Sequence, residues 1–147
     1  MTYIVSACLL GTRCRYDGES KGCEEIIDLS KNHTLIPFCP EDPIFGTPRE
    51  RISILQSDTG RKAVRDCDGA DFTEAIRNYT VKWHSSHPYA DRVILKSKSP
   101  SCGLGSTPVV NFAGEIIALG NGIAAQCFLD AGMKCYDEFN FNKEKEC

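Results

Sequence analysis

Three of the nine cysteines follow predicted β-strands. Cys8 directly follows residues 3–7 and Cys39 directly follows residues 34–38, whereas Cys102 lies in the loop after residues 93–96. The last of them ends a small, polar and basic stretch, Lys96-Ser97-Lys98-Ser99-Pro100-Ser101-Cys102-Gly103. Because open α/β sheets bind ligands at the carboxyl ends of their strands, the three thiols are expected to meet at one edge of a sheet. The pattern predicts a metal or catalytic site there.

The spacing of these cysteines narrows the class of metal site. Neither a CxxC pair nor a ferredoxin spacing occurs among Cys8, Cys14, Cys39 and Cys102, so a zinc ribbon or finger is poorly supported. Three thiolates without a nearby histidine favour soft metals, either zinc or an iron–sulfur cluster. On a four-iron cluster, three cysteines would leave one iron open for a substrate atom, which is Lewis-acid chemistry.

Composition excludes several functional classes. The chain has 147 residues, and 25% of them are charged. This length and this charged fraction are ordinary for a soluble globular protein. We expect a single domain over residues 1–147, with its core at 3–136 and a polar C-terminal tail at about 140–147. The net charge of −3 indicates neither duplex nucleic acid nor an anionic membrane as a partner. No apolar run could span a bilayer and no signal peptide is visible, so a cytoplasmic location is expected.

The order of elements predicts an α/β fold: a single three-layer domain with a mostly parallel, Rossmann-like sheet. The proline-rich segment 39–49 is predicted to be a loop. Hairpins are expected at 51–66 and 108–118, and helices at 24–31, 72–85 and 123–130, with a last strand at 133–136. Asp71 is the expected N-cap of the second of these helices, with Glu74 completing a capping box.

An ordered series of short motifs resembles the DUF523 family, whose characterised members are thiouracil desulfidases. The resemblance runs from residue 3 to about residue 136. The motifs are Val5-Ser6-Ala7-Cys8-Leu9-Leu10-Gly11, Arg15-Tyr16-Asp17-Gly18, Phe38-Cys39-Pro40-Glu41, Gly46-Thr47-Pro48-Arg49, Leu95-Lys96, Ser99-Pro100-Ser101-Cys102-Gly103 and Gly120-Asn121-Gly122-Ile123.

The resemblance implies an enzyme with a 4Fe–4S cluster held by Cys8, Cys39 and Cys102. Cys14 is then a packing residue. The substrate is a small-molecule thiolated pyrimidine. Its thiocarbonyl sulfur would bind the open iron, water would attack the ring carbon, and sulfide would leave without net electron transfer.

The neighbouring polar residues have expected roles and simpler alternatives. Glu41 is a candidate general base or proton shuttle, and Ser101 a candidate donor to the water or to the substrate oxygen; the alternatives are a solvated carboxylate and a turn hydroxyl. Tyr16 either stacks on the pyrimidine or packs in the fold, with packing favoured. The side chains expected to offset the charge of the cluster are Arg15, Arg49 and Lys96; for each, a surface ion pair is the equal alternative.

Two other functions remain open at this level. One is a non-catalytic iron–sulfur module for electron transfer or sulfur handling, in which Cys14 would be the fourth ligand. The other is a structural zinc protein, which would unfold when its metal is removed.

Overall fold

The computed structural model describes residues 1–11, 23–45 and 51–141. Its strands are β1 Thr2–Ser6, β2 Thr34–Phe38, β3 Ile52–Ser57, β4 Gly60–Arg65, β5 Arg92–Leu95, β6 Thr107–Val110, β7 Ile116–Gly120 and β8 Lys134–Asp137. Its α-helices are α1 Glu24–Ile27, α2 Glu41–Phe45, α3 Thr73–Ser85 and α4 Ile123–Asp130. Two 3₁₀ turns, Ala7–Leu10 and Asp28–Lys31, follow β1 and α1. Within these ranges, no helix has both the length and the apolar character needed to cross a membrane.

The first sheet has the order β2-β1-β5-β8 and is parallel throughout. All four strands therefore end at the same edge. The chain leaves β1 toward β2 on one side and later returns to β5 on the other, so the point where the strand order reverses lies between β1 and β5. The predicted α/β class and parallel sheet are confirmed. β2 is an edge strand, a position that tolerates Pro37.

Alternating side chains of the first sheet separate two hydrophobic clusters. Tyr3 and Val5 pack with Ile26 of α1 on one face. Ile4 and Val93 pack on the other face, in the cluster that contains Phe128 of α4 and Ile76 of α3. This period of two along β1 produces the three layers that the element order predicts.

The second sheet was not predicted. Its order is β4-β3-β6-β7, in which two antiparallel hairpins are joined by a parallel pairing of β3 with β6. Both hairpins are where the sequence places them, but they form a sheet of their own instead of extending the first. Ile54 pairs with Val109 at the junction, and both are fully buried. Burial of these two side chains against the common core explains why the hairpins pair with each other.

The segment predicted as a loop at 39–49 contains a short helix, α2. Its proline is the third residue of the helix. The first N–H groups of a helix have no acceptor within it, so a proline there removes no hydrogen bond. The prediction of a loop was therefore wrong for residues 41–45. Residues 46–50 lie outside the described ranges.

The start of α3 also differs from the prediction. Its N-cap is Phe72 rather than Asp71, and Glu74 pairs with Arg77 instead of completing a capping box. The Asp71 carboxylate accepts hydrogen bonds from the N–H of Thr73 at 2.9 Å and from its hydroxyl at 2.6 Å. Asp71 lies one residue before the N-cap, and its side chain stabilises the turn that leads into the helix.

Candidate functional site

A cavity of about 780 Å³ opens at the carboxyl edge of the parallel sheet, between that sheet and the second one. Cys8, Cys39 and Cys102 all line it, although they are far apart in sequence. Cys8 lies in the 3₁₀ turn after β1, and Cys39 directly follows β2. The residues that follow three neighbouring strands thus bring three thiols to one wall.

The thiol of Cys102 is in a strongly apolar setting. The residue is 5% exposed, and burial raises the pKa of its thiol far above the ordinary value. Hydrogen bonding with Ser6 and Ser99 opposes this rise, whereas the negative charges of Cys39 and Glu41 add to it. Cys102 is accordingly a neutral thiol in the metal-free protein. Cys39 and Glu41 lie close enough for their charges to affect its ionisation.

The candidate metal donors at this wall are three thiols and one carboxylate. In the described ranges, no three or more His, Cys, Asp or Glu side chains converge as ligands of one metal ion. The described cysteines are all thiols rather than disulfides. In a cubane cluster each cysteine binds a different iron atom, so its thiolates surround a volume instead of meeting at a point. Three thiols on the wall of one cavity meet that requirement.

Hydrogen bonds to Ser99 hold the backbone of the loop that carries Cys102 in place. The Ser99 hydroxyl accepts the N–H groups of Ser101 at 3.2 Å and Cys102 at 3.1 Å. The Ser99 carbonyl accepts the N–H of Gly103 at 2.9 Å and the Thr107 hydroxyl at 2.6 Å. A Cβ atom at residue 103 would collide with that hydroxyl. The glycine after Cys102 therefore keeps the loop closed around Ser99.

The same loop is docked on the first turn of α4. The carbonyl of Pro100 accepts the N–H of Ile123 at 3.2 Å, and that of Ser101 accepts the N–H groups of Ala124 at 2.8 Å and Ala125 at 3.0 Å. These bonds satisfy N–H groups that have no acceptor inside the helix. The backbone of Gly122 lies so close to residues 101 and 102 that a side chain there would collide with it.

An ion pair holds the other end of the loop. The Lys96 ammonium lies 3.0 Å from the Glu138 carboxylate, and both side chains are largely buried. Glu138 also accepts the Ser97 N–H at 2.8 Å and its hydroxyl at 3.1 Å. Burial alone would raise the pKa of Glu138, but these bonds and the ammonium lower it below the ordinary value. The Lys96 N–H donates to the Ser6 hydroxyl at 2.9 Å, which connects β5 to the residue before the Cys8 turn.

Lys98 lies between these two anchors in a strained conformation. Its φ of 63° is in the left-handed region, which a lysine rarely adopts. Its N–H donates to the Ser106 hydroxyl at 3.0 Å, and its side chain is an exposed part of the cavity wall. The strain is sustained by the bonds on either side of it.

A family model described as 2-thiouracil desulfurase matches residues 3–140. The chain belongs to the 2-thiouracil desulfurase family. The matched segment contains every helix described above, every strand apart from Thr2 at the start of β1, and the three cysteines of the cavity.

Two relatives extend this comparison. A solved structure of the 4Fe–4S-dependent thiouracil desulfidase TudS (DUF523Vcz) superposes with a TM-score of 0.72 at 28% identity, covering 97% of this chain and 93% of that one. The uncharacterised protein YbbK of Bacillus subtilis (strain 168) is 33% identical over an alignment of 147 positions, which covers 95% of this chain and 97% of YbbK.

Not every predicted site residue of this 2-thiouracil desulfurase family member lies on the cavity wall. Glu41, in the first turn of α2, and Lys96 are part of the wall. Ser101 does not line the cavity; it is fully buried between two residues that do, Pro100 and Cys102, and its Oγ has no hydrogen-bond partner among the described residues. None of the three histidines lines the cavity. The predictions for Cys14, Arg15, Tyr16 and Arg49 concern residues outside the described ranges.

Sequence reasoning missed two residues that support the site in this family member, Ser6 and Glu138. The loop around Cys102 is shaped by Ser99, as its sequence predicts. Ser99 had a local signal, because a serine hydroxyl commonly accepts N–H groups two and three residues further on. Glu138 had a weaker one, since it follows β8 and therefore lies at the same sheet edge as Lys96. The role of Ser6 depends on which strands are neighbours, and the sequence does not show that.

Proposed function

We propose that this chain is a 4Fe–4S-dependent desulfidase that converts a thiolated pyrimidine, such as thiouracil, to the corresponding oxo base and sulfide by hydrolysis. One observation carries the proposal. Three thiols from three strand ends line a single cavity that also contains a carboxylate. Family membership and the likeness to TudS support the same conclusion.

Cys8, Cys39 and Cys102 would hold the cluster. With three protein ligands, a 4Fe–4S cluster supplies a Lewis-acidic iron with an open position for the substrate sulfur. The apolar surroundings of Cys102 disfavour a bare thiolate in this place. They are compatible with a thiolate whose charge is neutralised by iron.

Glu41 would activate water. It lines the cavity, and its charge acts on the Cys102 thiol, so it lies beside the position of the bound substrate. Its carboxylate would accept a proton as the water oxygen bonds to the ring carbon, and would return it as the carbon–sulfur bond breaks. The sulfur leaves as sulfide and no electrons are gained or lost, so the reaction needs no reductant.

The remaining polar groups would position the substrate and balance charge. The Ser101 hydroxyl, buried without a partner, would donate to the substrate oxygen or to the attacking water. Lys96 is committed to Glu138, so we propose that it stabilises the loop and contributes positive charge to the cavity without leaving that pair. For Arg15 and Arg49 we retain the expected role of offsetting the charge of the cluster, with a surface ion pair as the alternative. For Tyr16 we retain packing in the fold as favoured over stacking on the pyrimidine.

Anaerobic reconstitution with iron and sulfide tests the proposal. We expect roughly four irons per chain, followed by release of uracil and sulfide from 2-thiouracil or 4-thiouracil. Cys8→Ala, Cys39→Ala and Cys102→Ala should each lose the cluster. Cys127→Ala is the matched control, because it removes a half-buried thiol on α4 that does not line the cavity. An intact cluster without sulfide release would refute the enzymatic function.

The same experiment separates the other functional classes. One zinc and no iron per chain would select a structural zinc protein. A cluster that is reduced reversibly and is lost in Cys14→Ala would select an electron-transfer module, since all four irons would then have protein ligands.

A further inference from the structure

Strand β7 is an uncharged sheet edge, and its pairing with β6 shifts register between Val109 and Val110. The two described sheets have four edge strands: β2, β8, β4 and β7. Natural proteins blunt such edges with charged residues or proline. The first three edges follow this rule, with Pro37 in β2, Lys134 and Asp137 in β8, and three basic residues in β4. The sequence of β7, Ile-Ile-Ala-Leu-Gly, has neither a charge nor a proline.

The side chains of β7 are exposed as well as apolar. Ile116 is 65% exposed, Ile117 52% and Leu119 63%. Leu119 lies opposite Pro108 in β6, which has no N–H to donate. That pair is therefore not hydrogen-bonded, and the backbone groups of Leu119 are directed toward the free edge. The strand thus presents hydrogen-bonding groups and apolar side chains together.

Charges at the two ends of β7 indicate what covers it. Glu115 lies just before the strand, and the Arg61 guanidinium lies beside Gly120 at its other end. Neither charge forms an ion pair with another residue in the described ranges. In an antiparallel pairing of two identical strands, each end of one strand meets the opposite end of the other. The carboxylate of each copy would then lie near the guanidinium of its partner.

We propose that two copies of this chain pair through β7 in an antiparallel, two-fold symmetric arrangement. The pairing satisfies free backbone groups, places the exposed isoleucines and leucine beside cross-strand neighbours of the partner, and brings two opposite-charge pairs together. The second sheet becomes a continuous sheet of eight strands across the dimer. Ile116 also lines the cavity of the proposed active site, so the dimer interface adjoins that cavity.

Sedimentation velocity of the full-length, cluster-loaded protein over a range of concentrations tests the dimer. We expect twice the mass of the chain for the wild type and the mass of a single chain for Leu119→Lys. Val81→Lys is the matched control, because Val81 on α3 is 54% exposed and lies outside the sheet. This control should remain dimeric. Circular dichroism verifies that each variant is folded.

A charge-reversal pair supplies a second measurement that does not depend on introducing a charge into the strand. Arg61→Glu alone and Glu115→Arg alone should each weaken dimerisation by about tenfold, because two symmetry-related contacts are lost. The double variant should restore it. A wild type that stays monomeric, or a dimer unaffected by Leu119→Lys, would overturn the proposal. So would a monomer that cosediments with uncharged lipid vesicles, which would assign the edge to a membrane surface.

Discussion

The Ser101 hydroxyl lies fully buried one residue before Cys102, without a hydrogen-bond partner in the described part of the chain. A buried polar group of this kind costs about 1–3 kcal/mol. The hydrogen bonds of the neighbouring residues show that the local fold does not require the Ser101 hydroxyl. The loop is closed by Ser99, and the Ser101 carbonyl rather than its side chain contacts α4. We propose that the substrate or the attacking water supplies the missing partner of this hydroxyl.

Ser101→Ala separates this role from a structural one. We expect the cluster to be retained, kcat to fall about 100-fold, and the free energy of unfolding to stay equal or rise by up to about 1 kcal/mol. The measurements are iron content, sulfide release and urea denaturation. Glu41→Gln is the companion variant, and should lower kcat to a similar extent because it removes the proton acceptor. Full activity in both variants would show that these roles are wrong.

At the scale of elements, α4 acts as a support for the loop that carries Cys102. Its buried face contains Ile123, Ala124, Ala125 and Phe128, which anchor it in the core. Its first turn then binds the loop carbonyls. Close approach of the two backbones is possible only because residue 122 has no side chain. The Gly-x-Gly sequence before this helix is thus explained by packing and not by phosphate binding.

Gly122→Ala tests this support. A Cβ atom would collide with the backbone of residues 101 and 102, which has no flexible side chain to move away. We expect a loss of about 1–3 kcal/mol in the free energy of unfolding, together with a lower cluster content.

Gly105→Ala is the control for this prediction. Residue 105, unlike residue 122, has a positive φ, 65°, and it has open space around it. Backbone strain should destabilise this variant by about 1 kcal/mol without displacing Cys102. Equal cluster loss in the two variants would contradict a specific role for residue 122.

At the scale of the whole molecule, carboxylates in separate places favour the folded state at neutral pH. Asp68 has its pKa lowered from 3.8 to about 2, first by the Arg65 side chain and then by the N–H of Ala70. Hydrogen bonds from Thr73 lower the pKa of Asp71. Asp68 and Asp71 stabilise the connection between β4 and α3, and Glu138 stabilises the residues that follow β8. Each binds its proton less readily in the folded state than in the unfolded one.

Stability should therefore fall with acidification. A lowered folded-state pKa gives a contribution that is complete above the unfolded value and is lost as pH falls toward the folded value. For Asp68 that window is from about pH 4 to about pH 2. Urea midpoints of the wild type and Asp68→Asn should differ at pH 6 and converge across this window. A difference that is constant with pH would show that the Asp68 charge makes no contribution.

Local sequence determined most individual elements of this protein. The bounds of α4 and both hairpins follow from apolar periodicity and turn residues, which act within a few positions. The cysteines at three strand ends, and the family resemblance of their surroundings, are also visible in the sequence. The short helix α2 was missed because a proline is harmless in the first turn of a helix, and that depends on where the helix begins.

Tertiary structure alone decided how these elements combine. Pairing of the hairpins into a second sheet depends on burial of Ile54 against Val109, a contact between residues far apart in the chain. Strand order likewise placed Glu138 on Lys96 and Ser6 beside the Cys102 thiol. The sequence by itself determined which residue types stand at the strand ends, because that is a local property. Which of them share a cavity was decided by the order and register of the strands, since these depend on packing across the whole core.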